Sequence, residues 1–325
     1  MVRFLFVRLL QSVITLLGVT FLSFLIIKMA PGDYLDQLRL NPQISPETIE
    51  LLKKQYGLDK PLSVQYLKWL KSAITFDLGY SFQYHAPVLE LIKERIGNTL
   101  LLTLSSAIIS WFFALTLGFL AGFREGTWID RLIKAYAYTF MSFPSFFLAF
   151  ILLLIVSKTG ILPVGGMHSA GFERMSLSER TLDLLKHMVV PVLTLSLVST
   201  ASMVRLVRSS VIEVLSSPMV LFLKAKGLPK KVMIKHVFKN VMNPFTTLIG
   251  YEIAGLLSGA ALIEIIVGWP GLGTLMLDAV LSQDLFLVMG GLYIGTIMLL
   301  LGNLIADILL AVLDPRIRER ELISK

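Results

Sequence analysis

The sequence predicts an all-α integral membrane protein with six transmembrane helices and a long structured loop after the first of them. Three observations carry that expectation. Of 325 residues, 55% are hydrophobic and only 16% charged, and mean hydropathy is +0.76, far from the composition of a soluble domain. Apolar stretches of roughly 20 or more residues recur along the chain, each long enough at ~1.5 Å per residue to cross a ~30 Å hydrocarbon core. Lysine and arginine collect in alternate connections between these stretches, as orientation in a bilayer requires. The net charge of +8 is distributed among those connections and is not gathered on one basic module, which argues against nucleic acid as a partner.

The spans follow in order. The first, Leu9 to Ala30, comes after Arg3 and Arg8; it exceeds a signal-peptide core, lacks a small-residue cleavage site and reads as a retained anchor. The others run from Thr99 to Ala121, Leu132 to Val156, His187 to Val207, Phe245 to Gly268 and Leu285 to Leu313. The last is long enough to tilt. Between the first two, Gly32 to Asn98 is too long for a simple connection and is expected to fold on the outer surface. There Ser45-Pro46 can open a helix that ends at Gly57, and Pro61 can open another with Tyr66, Leu67 and Leu70 as its apolar stripe. A third helical stretch, Val88 to Ile96, leads into the second span. Four regions result: 1–31 as N-terminal end and first helix, 32–98 as extracytoplasmic loop, 99–313 as membrane core, and 314–325 as tail.

Charge sets the topology. With both termini cytoplasmic, the inner segments carry Arg3, Arg8, Arg124, Arg131, Lys134, Arg205, Arg208, the lysines from Lys224 to Lys239, and Arg316, Arg318, Arg320 and Lys325. The short outer segments have only Lys158, Arg174, Arg180 and Lys186. The 32–98 loop exceeds the ~60-residue range over which such counting applies, so its lysines do not oppose this arrangement.

One polar island stands out among the apolar spans, the connection 208–244. Ser217-Pro218 has the order of an N-cap and first helical position, and Gly227 stands where a left-handed residue would end a short helix. Pro229 can start a second helix. In it Ile234, Val237, Phe238 and Val241 form an apolar face beside a row of Lys231, Lys235 and Lys239. A basic amphipathic hairpin of this kind is a docking element for a protein, or a lysine-rich anchor on anionic lipid.

The remaining chemistry is sparse. Lacking cysteine, the chain has no disulfides, thiolate sites or cysteine nucleophile. His85, His168, His187 and His236 lack metal-ligand spacing. No phosphate-binding G-x-x-x-x-G-K-[ST] run occurs, nor a His-Glu-x-x-His or Gly-x-Ser-x-Gly motif, so no catalytic, cofactor or metal site is expected in the chain itself. Gly118/Gly122, Gly255/Gly259 and Gly291/Gly295 are small-xxx-small pairs suited to close helix packing. Glu252, about 12 Å into the fifth span, and Asn303 and Asp307, one turn apart in the sixth, are costly in hydrocarbon and are the candidates for a translocation path. Structural hydrogen bonding is the competing role for the last two.

Several short motifs stand in one order along almost the whole chain: Ala30-Pro31-Gly32-Asp33, Tyr56-Gly57-Leu58-Asp59-Lys60-Pro61, Asp77-Leu78-Gly79-Tyr80-Ser81 and Gly160-Ile161-Leu162-Pro163. They continue with Lys224-Ala225-Lys226-Gly227-Leu228, the run from Glu264 to Gly273, Asp284, Asn303, Asp307 and Asp314-Pro315-Arg316-Ile317-Arg318. Together they resemble the B-type permease subunit of dipeptide and oligopeptide ABC importers. Phe222-Leu223-Lys224-Ala225 departs from the small and acidic pattern of many importer permeases and looks like the peptide-importer branch.

The resemblance implies a type I importer fold in a bacterial or archaeal cytoplasmic (inner) membrane. It implies a non-catalytic subunit paired with a homologous second permease, two ATP-binding subunits that carry ATP and Mg, and an extracytoplasmic substrate-binding protein. Lys224, Ala225, Lys226, Gly227 and Leu228 then become the ATPase-coupling residues. Peptides are the implied cargo, with nickel chelates and oligosaccharides handled by related permeases. The alternative is an ion-coupled secondary transporter using Glu252 and Asp307 as coupling carboxylates, although no inverted repeat is evident.

Overall fold

A computed structural model describes residues 2–30, 32, 34–39, 43–255 and 260–313. The elements are α1 (Val2–Met29), α2 (Tyr34–Arg39), α3 (Pro46–Gln55), α4 (Leu62–Ile74), β1 (Tyr80–Ser81), β2 (Ala86–Pro87), α5 (Val88–Phe123), α6 (Trp128–Ser142) and α7 (Ser145–Thr159). They continue as α8 (Leu177–Leu215), α9 (Pro218–Ala225), α10 (Lys230–Gly255), α11 (Ala261–Val267), α12 (Leu272–Leu281) and α13 (Leu285–Leu313). Four helices are long and apolar enough to cross a membrane, or up to six spans if α6 with α7 and α11 with α12 each count as one. The chain is therefore a multi-pass helical membrane protein.

Two of the expected spans differ in form. Leu132 to Val156 is not one straight helix, because α6 ends at Ser142 and α7 departs at 100°. Pro144 has no N–H to continue the ladder and holds Phe143 in an extended conformation (ψ 127°). The stretch from Phe245 to Gly268 begins inside α10 and resumes as α11. Residues 256–259, with Gly259 of the second glycine pair, lie outside the described residues. So do Pro31, Asp33 and the motif 314–318. The stretch Val88 to Ile96 leads into the second span as expected, forming the first turns of α5.

The chain divides into two compact units, residues 1–99 with 270–300, and residues 100–269 with 301–325. In the first, Ser45 caps α3 by accepting from Thr48 N, and Gly57 (φ 69°) ends it, with Leu58 N bonded to Lys53 O at 2.9 Å. On α4, Tyr66, Trp69 and Ala73 are buried. Leu67, expected on that stripe, is 62% exposed, because the buried face follows the i, i+3, i+7 spacing from Tyr66. Tyr66 Oη lies 3.0 Å from Thr20 Oγ1 on α1, and Trp69 meets Tyr293 of α13 edge-on at 5.8 Å.

The two-residue strands β1 and β2 pair Tyr80 with Pro87 and Ser81 with Ala86, an element not foreseen in the sequence. Asp284, fully buried, holds them: its Oδ2 accepts from Ser81 Oγ at 2.6 Å and Gln83 N at 3.0 Å. Its Oδ1 accepts from Leu287 N at 3.1 Å, capping α13. One motif carboxylate thus serves a helix start and a distant hairpin.

In the second unit, α8 runs for 39 residues with Pro191 inside it, about 58 Å at helical rise and well beyond a ~30 Å core. A capping box between Ser176 and Glu179 starts it. A Cβ on Gly118 or Gly122 would come within 2.5 Å of Val207 or 2.6 Å of Val211, so this pair does bring α5 and α8 together. The third pair, in the first unit, is only half used: a Cβ on Gly291 would meet Met276 Sδ at 2.0 Å, and one on Gly295 meets nothing within 4 Å.

Candidate functional site: the α9–α10 hairpin

The hairpin is built from local signals and one apolar cluster. Ser217 is extended (ψ 150°) ahead of Pro218, as an N-cap should be, but its hydroxyl donates to Val214 O at 2.6 Å and does not cap α9. The end of α9 is a Schellman turn: Gly227 N bonds Lys224 O at 2.9 Å, Leu228 N bonds Leu223 O at 3.3 Å, and Gly227 has φ 70°. Pro229 then accepts from Val232 N at 2.9 Å and opens α10.

Val220 of α9 and Val237, Val241 and Phe245 of α10 are buried together with Val207 and Val211 of α8. Each such side chain contributes about 1.5–3 kcal/mol of burial. The buried stripe of α10 is Met233, Val237, Val241 and Phe245 at i+4 spacing. Ile234 and Phe238, expected on the same face, are 47% and 49% exposed. A helix that packs on one partner along i+4 turns its i+1 neighbours to the rim. Phe238 stacks there on Phe119 at 5.2 Å.

The outward side carries the candidate residues. Lys224 and Ala225 end α9, Lys226 is its C-cap, and these three with Gly227 and Leu228 are all exposed in one continuous turn. Beside them Leu221 and Phe222 are each 58% exposed, and Lys226 Nζ sits 4.6 Å over the Phe222 ring. The lysines Lys230, Lys231, Lys235 and Lys239 are exposed as well. An apolar centre with a cationic rim is the make-up of a surface that another protein covers.

The path candidates are less gathered. Glu252 belongs to α10, but its side chain lies outside the described set. Asn303 and Asp307 are half-buried on one face of α13. Among the described residues no three His, Cys, Asp or Glu side chains form a group that could hold a metal ion.

A buried ion pair between α6 and α8 escaped the sequence reading. Asp130, fully buried at the start of α6, accepts from Arg208 of α8 through Nε at 2.6 Å and Nη2 at 3.0 Å. Gly126 N donates to it at 3.0 Å, and Lys134 Nζ is 3.4 Å away. The bidentate fork ties α6 to the helix that leads directly into α9. Its signal was the Thr-x-x-Asp order of Thr127 and Asp130 before an apolar run, with Arg208 read only as a topology charge.

The described residues thus form a multi-pass helical membrane protein whose long α8 ends in an exposed helical hairpin, and the family matches give its class as the membrane component of a transport system. Residues 114–319 match the family described as binding-protein-dependent transport system inner membrane component. Residues 1–103 match that family's N-terminal component, and the chain belongs to this family. It is 36% identical to the oligopeptide transport system permease protein AppB of Bacillus subtilis over 95% of this chain and 97% of that one. It is 33% identical to the dipeptide transport system permease protein DppB of Escherichia coli over 99% and 100% of the two chains. To the glutathione transport system permease protein GsiC of Escherichia coli it is 33% identical over 98% and 99%.

Proposed function

We propose that this chain is the permease subunit of an ATP-driven importer of di- or oligopeptides or a related solute, forming half of the translocation path. The observation that carries this is the α9–α10 hairpin, exposed and closed by a Schellman turn, in a chain similar end to end to peptide permeases. ATP and Mg belong to two separate ATPase subunits, α9 seats in a cleft of one of them, and Lys224 to Leu228 make the coupling turn. A second, homologous permease completes the path, and an extracytoplasmic binding protein delivers the cargo. The membrane is the cytoplasmic (inner) one, with both termini inside, 32–98 outside and 208–244 inside.

The mechanical step follows from chain continuity. Closure of the ATPase dimer displaces α9 as a body, and the Schellman turn transmits the displacement without a flexible linker. Because α10 is continuous from Lys230 to Gly255, motion at its exposed end reaches the segment proposed to enter the membrane. Glu252, Asn303 and Asp307 are the proposed path residues. If Glu252 lines the path, Glu252→Gln changes transport or substrate preference with assembly intact; unchanged uptake of several peptides removes it.

Reconstitution decides between this reading and an ion-coupled carrier. Peptide uptake into proteoliposomes should require ATP, the ATPase subunits and the binding protein. Uptake driven by an imposed ion gradient without them would sink the proposal. Orientation is tested independently in this cysteine-free chain. A cysteine at position 60, and not one at 230, should react with an impermeant reagent added outside intact cells.

A further inference from the structure

The inner end of α8 is a junction of helices. On one side of it Val207 and Val211 are buried against Val220 of α9 and Val237 of α10. On another, Val204 is buried with Ile133 of α6. Arg208 lies in the same stretch of α8, and its guanidinium makes the bidentate fork with Asp130 of α6. Only Ser216 and Ser217 separate α8 from α9. Their N–H groups bond back onto α8, at Ile212 O (3.0 Å) and Val214 O (3.1 Å), so α9 follows α8 without slack.

Both halves of the fork are fixed. Asp130 is tied to its own turn, where Gly126 (φ 77°) donates its N–H to Oδ2 at 3.0 Å, and Arg208 Nη2 lies 3.8 Å from Glu125 Oε1 of that turn. A second directed bond joins the same two helices: Tyr136 Oη donates to Leu197 O at 3.0 Å, about 16 Å from Arg208 along α8 at helical rise. Two such bonds set the axial register and the rotation of α6 against α8, which the apolar contact of Ile133 with Val204 leaves free. Beyond Tyr136 the chain turns by 100° into α7, whose Ala149 and Val156 are buried with Ile263 and Val267 of α11. A buried ion pair adds little stability over well-packed apolar side chains of similar volume, so stability alone does not account for this one.

We propose that Asp130 and Arg208 are positioning residues of the transport step: they lock α6 to the inner end of α8, so that a displacement of α9 reaches α7 and α11 through α6 in one fixed register. The inference rests on the coupling role proposed for the α9–α10 hairpin and adds the route by which the motion leaves it.

The test uses the complete transporter in proteoliposomes, with ATP hydrolysed per peptide imported as the readout. Arg208→Met combined with Asp130→Leu replaces the fork by apolar side chains. The melting temperature should hold or rise, while the ATP hydrolysed per peptide should increase roughly threefold or more. Arg208→Lys, which keeps the charge and loses the fork, should give a smaller increase. A purely structural pair would change the ratio only with stability, so a stable double variant with the parental ratio overturns the proposal. If the double variant melts below the parent, Arg208→Lys decides, and the parental ratio there overturns it as well. Arg131→Cys and His236→Cys, both at exposed positions, carry spin labels on α6 and α10. Their separation should be single and narrow in the parent, equal in the nucleotide-free and ATP-trapped complexes, and broadened or shifted in the double variant. Equal distributions in parent and variant overturn the proposal. Peptide uptake by the parent that needs no ATP sinks the importer reading instead, while the label separation still reports whether the fork fixes α6.

Discussion

The α9–α10 hairpin and the β1–β2 hairpin are both short reversals of the chain, yet they are held by different forces. The helical one rests on a Schellman turn and the Val220, Val237 and Val241 cluster, leaving Leu221, Phe222 and a lysine rim uncovered. The β hairpin, two residues per strand, is pinned by long-range polar bonds from Ser81 and Gln83 to Asp284 and from Tyr84 Oη to Asp278 at 2.9 Å. Apolar packing has no preferred direction, so a helix seated by it can move as a body; directed bonds to a buried carboxylate hold one position. This contrast is what the proposed coupling role asks for, α9–α10 as the part that transmits displacement and β1–β2 as a fixed part of the first unit.

The largest effect is expected at the polar anchor of the helix leading into α9. Arg208→Ala leaves the buried Asp130 with only the Gly126 N–H and Lys134 as partners and should cost about 3–5 kcal/mol, read as a fall in the melting temperature of the purified protein. Adding Asp130→Ala should recover part of that loss; strictly additive losses would show that the pair is uncoupled. Next, Asp284→Ala strands the Ser81 hydroxyl and the Gln83 and Leu287 N–H groups. It should cost about 3 kcal/mol, with hydrogen exchange accelerated in 80–87 and at the start of α13 but unchanged in 217–241. Equal acceleration in both hairpins would erase the contrast between them.

Smaller stability changes should carry larger functional ones. A Cβ on Gly227 meets nothing within 4 Å, so Gly227→Val costs only the left-handed backbone conformation, about 1–2 kcal/mol. It should lower transport and substrate-stimulated ATP hydrolysis together while the protein still inserts; tightly coupled transport at the parental rate would refute the mechanical role of the turn. Phe222→Ala, at an exposed position, should change stability by no more than about 0.5 kcal/mol yet reduce co-purification of ATPase subunits. Undiminished co-purification would remove Phe222 from the docking surface.

The sequence by itself determined the membrane class, the apolar stretches in α1, α5, α8 and α13, the ends of α3 and α9, and the continuous turn from Lys224 to Leu228. These follow from composition, periodicity and caps, whose physics acts within a few residues along the chain. Tertiary structure decided the rest. It selected Met233 over Ile234 and Phe238 for the buried face of α10, because the packing partner sets which stripe is covered. It joined Asp130 to Arg208 across 78 positions and Ser81 to Asp284 across 203. Pairings so distant leave no periodic trace, since they depend on where whole helices meet and not on the residues beside them.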